Sequence, residues 1–498
     1  MSADVAFVRD APAVAPVPIE RTDVELRPDS GRVIVRPFLP NEQIHPDDGL
    51  LARVLALPES EVAGILNAAR AKFEHRHMNL EAVLDSHFQY VTRSSTAECS
   101  ELSKERQLLV GAYYTQEFSI ETAALTNPSI VAHPDQTGLD PGALRFILSL
   151  RSIGEGHLSS IEFRTGISDV TGAITVDPPS RYAVTGTHCP SVFDKASFCE
   201  KLVEMDAFDS TTQLVADLLS DPFELHELDA AIATVEGKRA PCRLTEMATK
   251  AMHWLATSNY RVTFEPESRL SERVIFPWSP IESHGLEDAR FVRFTEDDGS
   301  VTYYATYTAF DGFRVLPLMM ATSDFVTFDV STLSGPCAMN KGAALFPRKI
   351  GGKYVALSRY DGESNYVMSS DNVRIWDSAD KLESPELYWD LARAGNCGSP
   401  IETEAGWLVI THGVGPFRVY SLGAILLDIN DPTQIIGRLD QPLLTVTEEE
   451  REGYVPNVVY SCGSMIHGDD LLLPHGLTDT TTRIVRVPLK ALLDRLLG

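Results

Sequence analysis

The sequence predicts a mainly β protein, a five-bladed β-propeller with an N-terminal helical block and a helical insertion after the first blade. Two observations predict this fold. Short apolar runs separated by Gly, Asp and Asn turns fill residues 119–190 and 262–498, and the later runs share one shape that recurs about every 50 to 65 residues. Repeats of four short strands are typical of propeller blades, and the pattern leaves an irregular β-sandwich as the alternative.

The chain divides into four parts. Residues 1–118 are expected to hold a loose tail to about residue 30, one possible strand over Arg32–Phe38, and helices that begin after Pro58. Residues 119–190 are the first blade. Residues 191–261 return to helical spacing and are predicted to be an insertion, and residues 262–498 supply the remaining blades.

Five strand-rich units can be read in order along the chain. Each has a short strand, a turn, a strand rich in aromatic and β-branched residues, and then a polar elbow. The units lie at residues 144–169, 289–312, 343–362, 399–415 and 463–481.

The composition excludes several function classes. The net charge of −27 repels nucleic acid and anionic membranes, so neither is expected as a partner. No apolar run approaches the roughly 18 to 20 residues of a membrane helix, and the N-terminal stretch has no signal-peptide pattern. Seven cysteines without a CxxC motif indicate free thiols in a reducing cytoplasm and no zinc site.

The polar elbows carry the candidate site. In a propeller the ends of the inner strands converge on one axial pocket, so functional residues should recur at equivalent points of successive blades. The elbows supply Arg151 in the first unit, Asp288, Arg290 and Asp311 in the second, Lys341 and Arg359 in the third, His412 and Tyr420 in the fourth, and Asp479 in the fifth.

The basic members of this set suit an oxyanion. Two guanidinium forks, an ammonium and an imidazole from Arg151, Arg359, Lys341 and His412 can surround an anion with charged donors. Each alone would be interpreted as a solvated loop residue or an ion-pair partner. Their recurrence at matching elbows of a strongly acidic chain favours a shared anion site.

The carboxylates have two interpretations each. Asp288 suits a general acid, because a secluded carboxyl in a sugar-filled pocket can keep a proton near neutral pH. The alternative is a local salt-bridged turn formed by Glu287, Asp288 and Arg290. Asp311 and Asp479 suit ligands of sugar hydroxyls, and the alternative is an Asp that closes a turn.

Several long segments in order resemble glycoside hydrolase family 130, the mannoside phosphorylases and related mannosidases. GLEDARF at 285–291 resembles the family's EDPR segment. KGAALFPRKIGGKYVALSR at 341–359 and GSPIETEAGWLVITHGV at 398–414 resemble two further family stretches, and the segments at 423–444 and 455–463 complete the resemblance. Pro128, Tyr360 and the LPHG segment at 473–476 depart from the family pattern and bear on the acceptor sugar and the linkage.

The resemblance implies a five-bladed propeller and a role for each matched residue. Asp288 takes the place of the general acid. Arg151, Lys341, Arg359 and His412 take the places of the phosphate-binding residues, with Tyr420 nearby, and Asn127 takes that of an Asn at the pocket edge. Arg290, Asp311 and Asp479 are expected to contact substrate.

The activity that the resemblance implies is the inverting phosphorolysis of a β-mannoside to α-mannose 1-phosphate and an acceptor sugar. Phosphate is the co-substrate, and no cofactor or metal is expected. Phosphate is already ionised and needs no base, whereas an inverting hydrolase needs a second carboxylate to activate water. The alternatives are a β-mannosidase on the same scaffold, favoured if Arg151 or Lys341 points away from the pocket, and a non-catalytic sugar-binding propeller. The helical segments could support a homo-oligomer.

Overall fold

The computed structural model describes residues 16–39, 49–93, 101–238, 243–313 and 315–498. Strands dominate these residues, so the prediction of a mainly β protein is confirmed. The strands pair antiparallel and form five sheets of four or more strands, together with two short two-stranded ribbons. In the part of the chain that is described, no helix is long and apolar enough to cross a bilayer.

The first two sheets exchange segments along the chain. The first sheet contains Ala124–Ala132, Leu144–Ile153, Ser159–Ser168, Ile174–Val176 and Val274–Ile275. The second contains Leu286–Thr295, Val301–Phe310, Val315–Thr322, Thr327–Thr332, Tyr260–Thr263 and Thr187–Pro190. The predicted boundary at residue 190 therefore falls at the end of a strand that belongs to the second sheet.

The third and fourth sheets are continuous in sequence. The third contains Ala344–Leu345, Tyr354–Ser358, Asn365–Ser370 and Ala379–Glu383. The fourth contains Arg393–Asn396, Ile401–Thr403, Gly406–Val414, Tyr420–Leu427, Ile435–Arg438 and Leu444–Thr445.

The fifth sheet joins the two ends of the chain. It contains Val459–Tyr460, Met465–His467, Asp470–Leu477 and Thr481–Pro488, and Glu20–Leu26 pairs with the last of these strands. The prediction of a loose tail to about residue 30 was therefore wrong for Glu20–Leu26. Residues 16–19 and 27–30 lie in no helix or strand, and residues 1–15 lie outside the described residues.

The helices form two separate groups, as predicted. The N-terminal block contains Leu50–Leu55, Glu59–Phe73, Leu80–Thr92 and Lys104–Tyr113, and the ribbon of Val33–Pro37 with Thr115–Ser119 flanks it. The insertion contains Lys195–Glu204, Ser210–Ala216, Leu225–Lys238 and Arg243–Thr257, with a ribbon of Val192–Phe193 and Phe223–Glu224. Each group has its own apolar core. A further helix at Leu489–Leu497, which the sequence analysis missed, packs against the fourth and fifth sheets.

The apolar clusters link the sheets in a closed order. Separate clusters join the first sheet to the second, the second to the third, the third to the fourth and the fourth to the fifth. Another cluster joins the fifth sheet back to the first through Ile130, Phe146 and Leu148 on one side and Leu472 and Ile484 on the other. Each sheet therefore buries apolar side chains against two neighbouring sheets, which holds the strand ends in fixed relative positions.

Candidate functional site

A cavity of about 250 Å³ collects side chains from all five sheets and from the segments that lead into them. Eight of the ten predicted site residues line it. The lining residues are Asn127, Arg151, Glu287, Asp288, Lys341, Arg359, Arg393, His412, Arg418, Tyr420, Val458, Tyr460 and Asp479. Residues more than 350 positions apart in sequence therefore share one pocket.

A larger cavity of about 710 Å³ lies elsewhere, between the helical insertion and the second and third sheets. None of the predicted site residues lines it. Its Lys201 pairs with Glu204, and its Arg261 pairs with Asp329, so these charges are already neutralised by neighbours. The smaller cavity is therefore the candidate site.

Two strand bulges place Asn127 and Asp288 side by side. The ladder of the first sheet shifts register between Thr126 and Ser129, and that of the second sheet shifts between Glu287 and Arg290. Asn127 and Asp288 sit in these bulges with φ of 48° and 57°, and the Asn127 amide donates a hydrogen bond to the Asp288 carboxylate. A left-handed backbone costs free energy in a non-glycine residue, and such residues concentrate at functional sites. The backbone of Asn127 and Asp288 therefore indicates that both are functional residues.

Glu287 connects two of the predicted phosphate ligands. Arg151 Nη2 donates to Glu287 Oε1 at 2.7 Å, and the Lys341 ammonium contacts Glu287 Oε2. The alternative of a local salt-bridged turn formed by Glu287, Asp288 and Arg290 is wrong for Glu287, whose carboxylate pairs with Arg151 and Lys341 instead. Glu287 is thus a lining residue that was not among the predicted site residues.

Arg359 and His412 form a second pair in the lining of the cavity. Arg359 Nη1 donates to His412 Nε2 at 2.8 Å, since a guanidinium has no acceptor. Burial, reinforced by the charge of Arg359, holds the pKa of His412 well below its usual range. His412 is therefore neutral, with its proton on Nδ1.

Several buried donors around the cavity have no partner. Arg151 Nε, Arg359 Nε, Arg393 Nε and His412 Nδ1 are shielded from solvent, and no hydrogen bond reaches them. Buried polar groups in proteins are ordinarily hydrogen-bonded, so a cluster of orphan donors indicates a missing acceptor. An anion with several oxygens would satisfy them.

The charge of the pocket also suits an anion. Its lining holds five permanent cations, namely Arg151, Lys341, Arg359, Arg393 and Arg418, against three carboxylates, namely Glu287, Asp288 and Asp479. The chain as a whole carries −27. The local excess of positive charge thus opposes the field of the whole protein, and the described residues contain no cluster of three or more metal-ligating side chains.

The pKa values of the two remaining carboxylates, Asp288 and Asp479, are shifted in opposite directions. Burial would raise the pKa of Asp288, but the charges of Lys341, Arg151 and Arg290 and the Asn127 hydrogen bond outweigh it and hold the pKa below its usual range. Asp288 is therefore ionised in the ligand-free pocket, whereas the expectation of a protonated Asp288 concerns the pocket filled by sugar. Burial raises the pKa of Asp479 to about 6.

Two predicted substrate ligands do not line the pocket. Arg290 is buried beneath it and donates to the carbonyls of Gly342 and Asn396 and to the Tyr460 hydroxyl. The Asp311 carboxylate accepts the Phe313 amide at 2.9 Å and closes a hairpin turn, which was the alternative for that residue. The Arg290 side chain therefore serves the pocket wall, and that of Asp311 serves a turn beyond the end of the strand Val301–Phe310.

Four lining residues with polar groups were not predicted: Glu287, Arg393, Arg418 and Tyr460. Arg418 lies in the turn GPFR at 415–418, whose backbone matches that of the turn GEGH at 154–157 in the first sheet. The corresponding residue of that turn, His157, does not line the pocket, so the likeness of the two turns gives no signal for Arg418. Tyr460 lies inside a motif that carried the family resemblance, but nothing in its spacing distinguishes it from a core aromatic residue.

Comparison with known proteins finds several relatives that are named as phosphorylases of mannosides. A family profile described as beta-1,4-mannooligosaccharide phosphorylase matches residues 256–497. A 1,2-beta-oligomannan phosphorylase of Thermoanaerobacter sp. strain X514 is 37% identical over 232 residues, which are 45% of this chain and 74% of that protein. A beta-1,2-mannobiose phosphorylase of Listeria innocua is 33% identical over 42% of this chain and 59% of that protein. A beta-1,4-mannooligosaccharide phosphorylase of Ruminococcus albus is 29% identical over 48% and 72%.

Solved structures give a weaker likeness over a longer stretch. The complex of the Listeria innocua beta-1,2-mannobiose phosphorylase with beta-1,2-mannobiose covers 76% of this chain and 93% of that chain, with 22% identity and a TM-score of 0.46. The family profile begins after the strands that carry Asn127 and Arg151. The profile therefore does not cover these two residues, and only the geometry of the pocket places them in the site.

Proposed function

Because the chain belongs to glycoside hydrolase family 130, the mannoside phosphorylases and related mannosidases, we propose that it is an inverting phosphorylase that cleaves β-mannosides with inorganic phosphate. The products are α-mannose 1-phosphate and an acceptor sugar, and no cofactor takes part. The observation that carries the proposal is the convergence of Arg151, Lys341, Arg359 and His412 with Asp288 in one pocket.

The fold that we propose for this activity is a five-bladed propeller. Its support is the closed order in which five antiparallel sheets pack, with the N-terminal and C-terminal strands in one sheet. Each sheet is then one blade, and the pocket lies where the blades meet. Ligand pockets commonly occupy this axial position in propellers.

Phosphate is proposed to bind the orphan donors of the cavity. The unpaired N–H groups of Arg151, Arg359 and His412 and the ammonium of Lys341 supply charged or buried donors, and Tyr420 lines the cavity beside His412. Charge-assisted hydrogen bonds of this kind hold phosphate strongly, and guanidinium forks match its geometry. Arg359 is oriented for this role by its bond to His412.

The proton for the leaving group is proposed to come from Asp288. A phosphate oxygen attacks the anomeric carbon, the bond to the acceptor oxygen breaks, and the proton reaches that oxygen, in this family through a hydroxyl of the mannose. Asp288 is ionised in the ligand-free pocket, but a phosphate dianion offsets the charges of Lys341 and Arg151 that depress its pKa. Phosphate binding therefore favours the protonated form that the reaction needs.

The remaining lining residues are proposed to bind sugar. Asn127 holds Asp288 and stands at the pocket edge, while Asp479 presents a carboxyl that can accept hydroxyl protons. Arg290 and Asp311 are not part of this proposal, because their side chains serve the pocket wall and a hairpin turn.

Water in place of phosphate would make the protein a β-mannosidase. That alternative is favoured if Arg151 or Lys341 points away from the pocket, and both line it. The complete basic set therefore favours phosphorolysis. A cytoplasmic location and a homo-oligomer formed through the helical segments stay predictions.

The test is the reverse reaction. The protein is incubated with α-mannose 1-phosphate and a panel of acceptors (mannose, glucose, N-acetylglucosamine and β-mannobioses), and free phosphate is followed. Release that depends on one acceptor supports the phosphorylase and identifies its acceptor. No release across the panel, together with mannose set free from β-mannosides in phosphate-free buffer, would establish the hydrolase instead.

A further inference from the structure

We propose that Glu287 is a positioning residue of the phosphate site: its carboxylate holds Arg151 and Lys341 together in the ligand-free pocket and, through its negative charge, weakens the binding of phosphate. This inference rests on the proposed function. It concerns how tightly the site holds its anion, which the roles of the four basic residues do not determine.

The geometry gives Glu287 two partners and little freedom. Its side chain is 17% exposed, and each carboxylate oxygen takes one cation, Oε1 from Arg151 and Oε2 from Lys341. The two cations come from different sheets, so the carboxylate is the link between them. Without it, two like charges would face one cavity with no fixed separation.

Both cations keep donors for a second anion. Arg151 Nε is buried without a partner, and an ammonium carries three N–H groups, of which the Glu287 contact uses one. Phosphate can therefore bind while Glu287 stays in place. Two anions then share the same pair of cations, and their mutual repulsion reduces the net attraction that phosphate experiences.

A moderate affinity is useful to an enzyme that binds or releases phosphate in every turnover. Binding that is equally tight in the ground state and the transition state lowers KM without raising kcat. A carboxylate that weakens ground-state binding keeps the site able to exchange its anion. Glu287 thus acts through Arg151 and Lys341 and does not itself contact the reacting atoms.

The experiment measures inorganic phosphate binding by titration calorimetry in the full-length protein and in Glu287→Gln, Glu287→Ala and Glu287→Asp. We expect the two neutral variants to bind phosphate about tenfold more tightly, because one like charge has left a partly buried site. Glu287→Asp keeps the charge and should stay close to the unmodified protein. In phosphorolysis, the KM for phosphate should fall in the neutral variants while kcat does not rise.

A matched control is Glu296→Gln. Glu296 follows the other end of the same strand and also pairs with a lysine, Lys349, at 3.7 Å, but it lies outside the pocket. Its phosphate affinity should be unchanged. Weaker or equal phosphate binding in correctly folded Glu287→Gln and Glu287→Ala would overturn the inference. If the unmodified protein binds no phosphate and shows no phosphorolysis, the proposed function itself fails.

Discussion

At the residue scale, the contact between Arg359 and His412 gives a neutral imidazole a role in the proposed phosphate site. His412 has no charge to offer, but its Nε2 fixes the Arg359 fork, and the buried Nδ1–H remains as a donor. Among the described residues Arg359 forms no ion pair. Its charge is therefore available to a ligand.

Replacing Arg359 should separate activity from stability. We expect Arg359→Gln to lower kcat/KM for phosphate by about 100- to 1,000-fold, the usual effect of removing one preorganised donor. The melting temperature should change little, because no carboxylate is left unpaired when the guanidinium is removed. Lys341→Ala should lose phosphorolysis similarly. Full phosphate-dependent activity in either variant would contradict the assignment of the basic residues.

Replacing Asp479 should raise stability at neutral pH while it lowers activity. Its pKa of about 6 exceeds the ordinary value of an unfolded Asp, so the folded protein holds a proton that the unfolded chain has lost between about pH 4 and 6. The contribution of this group to stability therefore falls as pH rises through that window. We expect Asp479→Asn to raise the free energy of unfolding by about 2 kcal/mol at pH 7.5 and to leave it unchanged at pH 4.

The same variant should lose activity if Asp479 binds sugar. Asn tolerates the left-handed backbone of this position, with φ of 47°, so the turn should be preserved. Denaturant unfolding at the two pH values, with kinetics on the mannoside, gives both readouts. If Asp479→Asn were less stable than the unmodified protein at pH 7.5, burial of the ionised Asp479 carboxylate could not be destabilising as argued.

At the element scale, the strand Glu20–Leu26 tests how the chain ends are joined. Alternate side chains of this strand face the cluster between the first and fifth sheets, and Val24 and Leu26 pack there, whereas Asp23 is exposed. We expect Val24→Asp to cost about 1–3 kcal/mol, because it buries an unpaired charge against apolar side chains. Asp23→Ser, one residue away on the other face, should change stability by less than about 0.5 kcal/mol.

The outcome of this comparison is read from unfolding curves of the two variants under one condition. Equal stability of Val24→Asp and Asp23→Ser would mean that the strand does not close the sheet. The alternation of polar and apolar residues in ERTDVEL is the signal of a strand. That signal is weak here, because Val24 and Leu26 are the only apolar residues of the segment and its partner, Thr481–Pro488, lies at the far end of the chain.

Local pattern explains how much of the site could be predicted. The elbows of the strand units carry Arg151, Lys341, Arg359 and His412. Because equivalent elbows meet in space, their recurrence along the sequence was enough to predict one shared site. Glu287 and Arg290 could not be assigned that way. One extra residue in a bulge decides which of two adjacent side chains faces the cavity, and a sequence without its partner strand does not show where the bulge lies.

At the scale of the whole molecule, a buried ion cluster attaches the N-terminal region to the first sheet. Arg32 and Arg164 contact Glu121 and Glu162, and all four are at most 2% exposed. Arg32 also donates to the carbonyls of Ser180 and Ser271, on the segments that connect the first two sheets. Separate parts of the chain therefore depend on one charge network.

Breaking this network should destabilise the whole molecule. We expect Glu162→Gln to cost about 3–5 kcal/mol, because Glu162 is the fully buried carboxylate that contacts both Arg32 and Arg164. The exposed pair of Arg261 and Asp329 provides the control, and Arg261→Gln should cost less than about 1 kcal/mol. Similar losses in the two variants would show that the cluster contributes no more than a surface pair.

The central claim is that one pocket, formed by all five sheets, uses phosphate to cleave a β-mannoside with inversion. The most direct measurement is ³¹P and ¹H nuclear magnetic resonance of the purified protein with β-1,2- and β-1,4-linked manno-oligosaccharides in phosphate buffer, repeated without phosphate. We expect α-mannose 1-phosphate as the first sugar phosphate, with no cleavage when phosphate is omitted. Free mannose formed at equal rates with and without phosphate would contradict it.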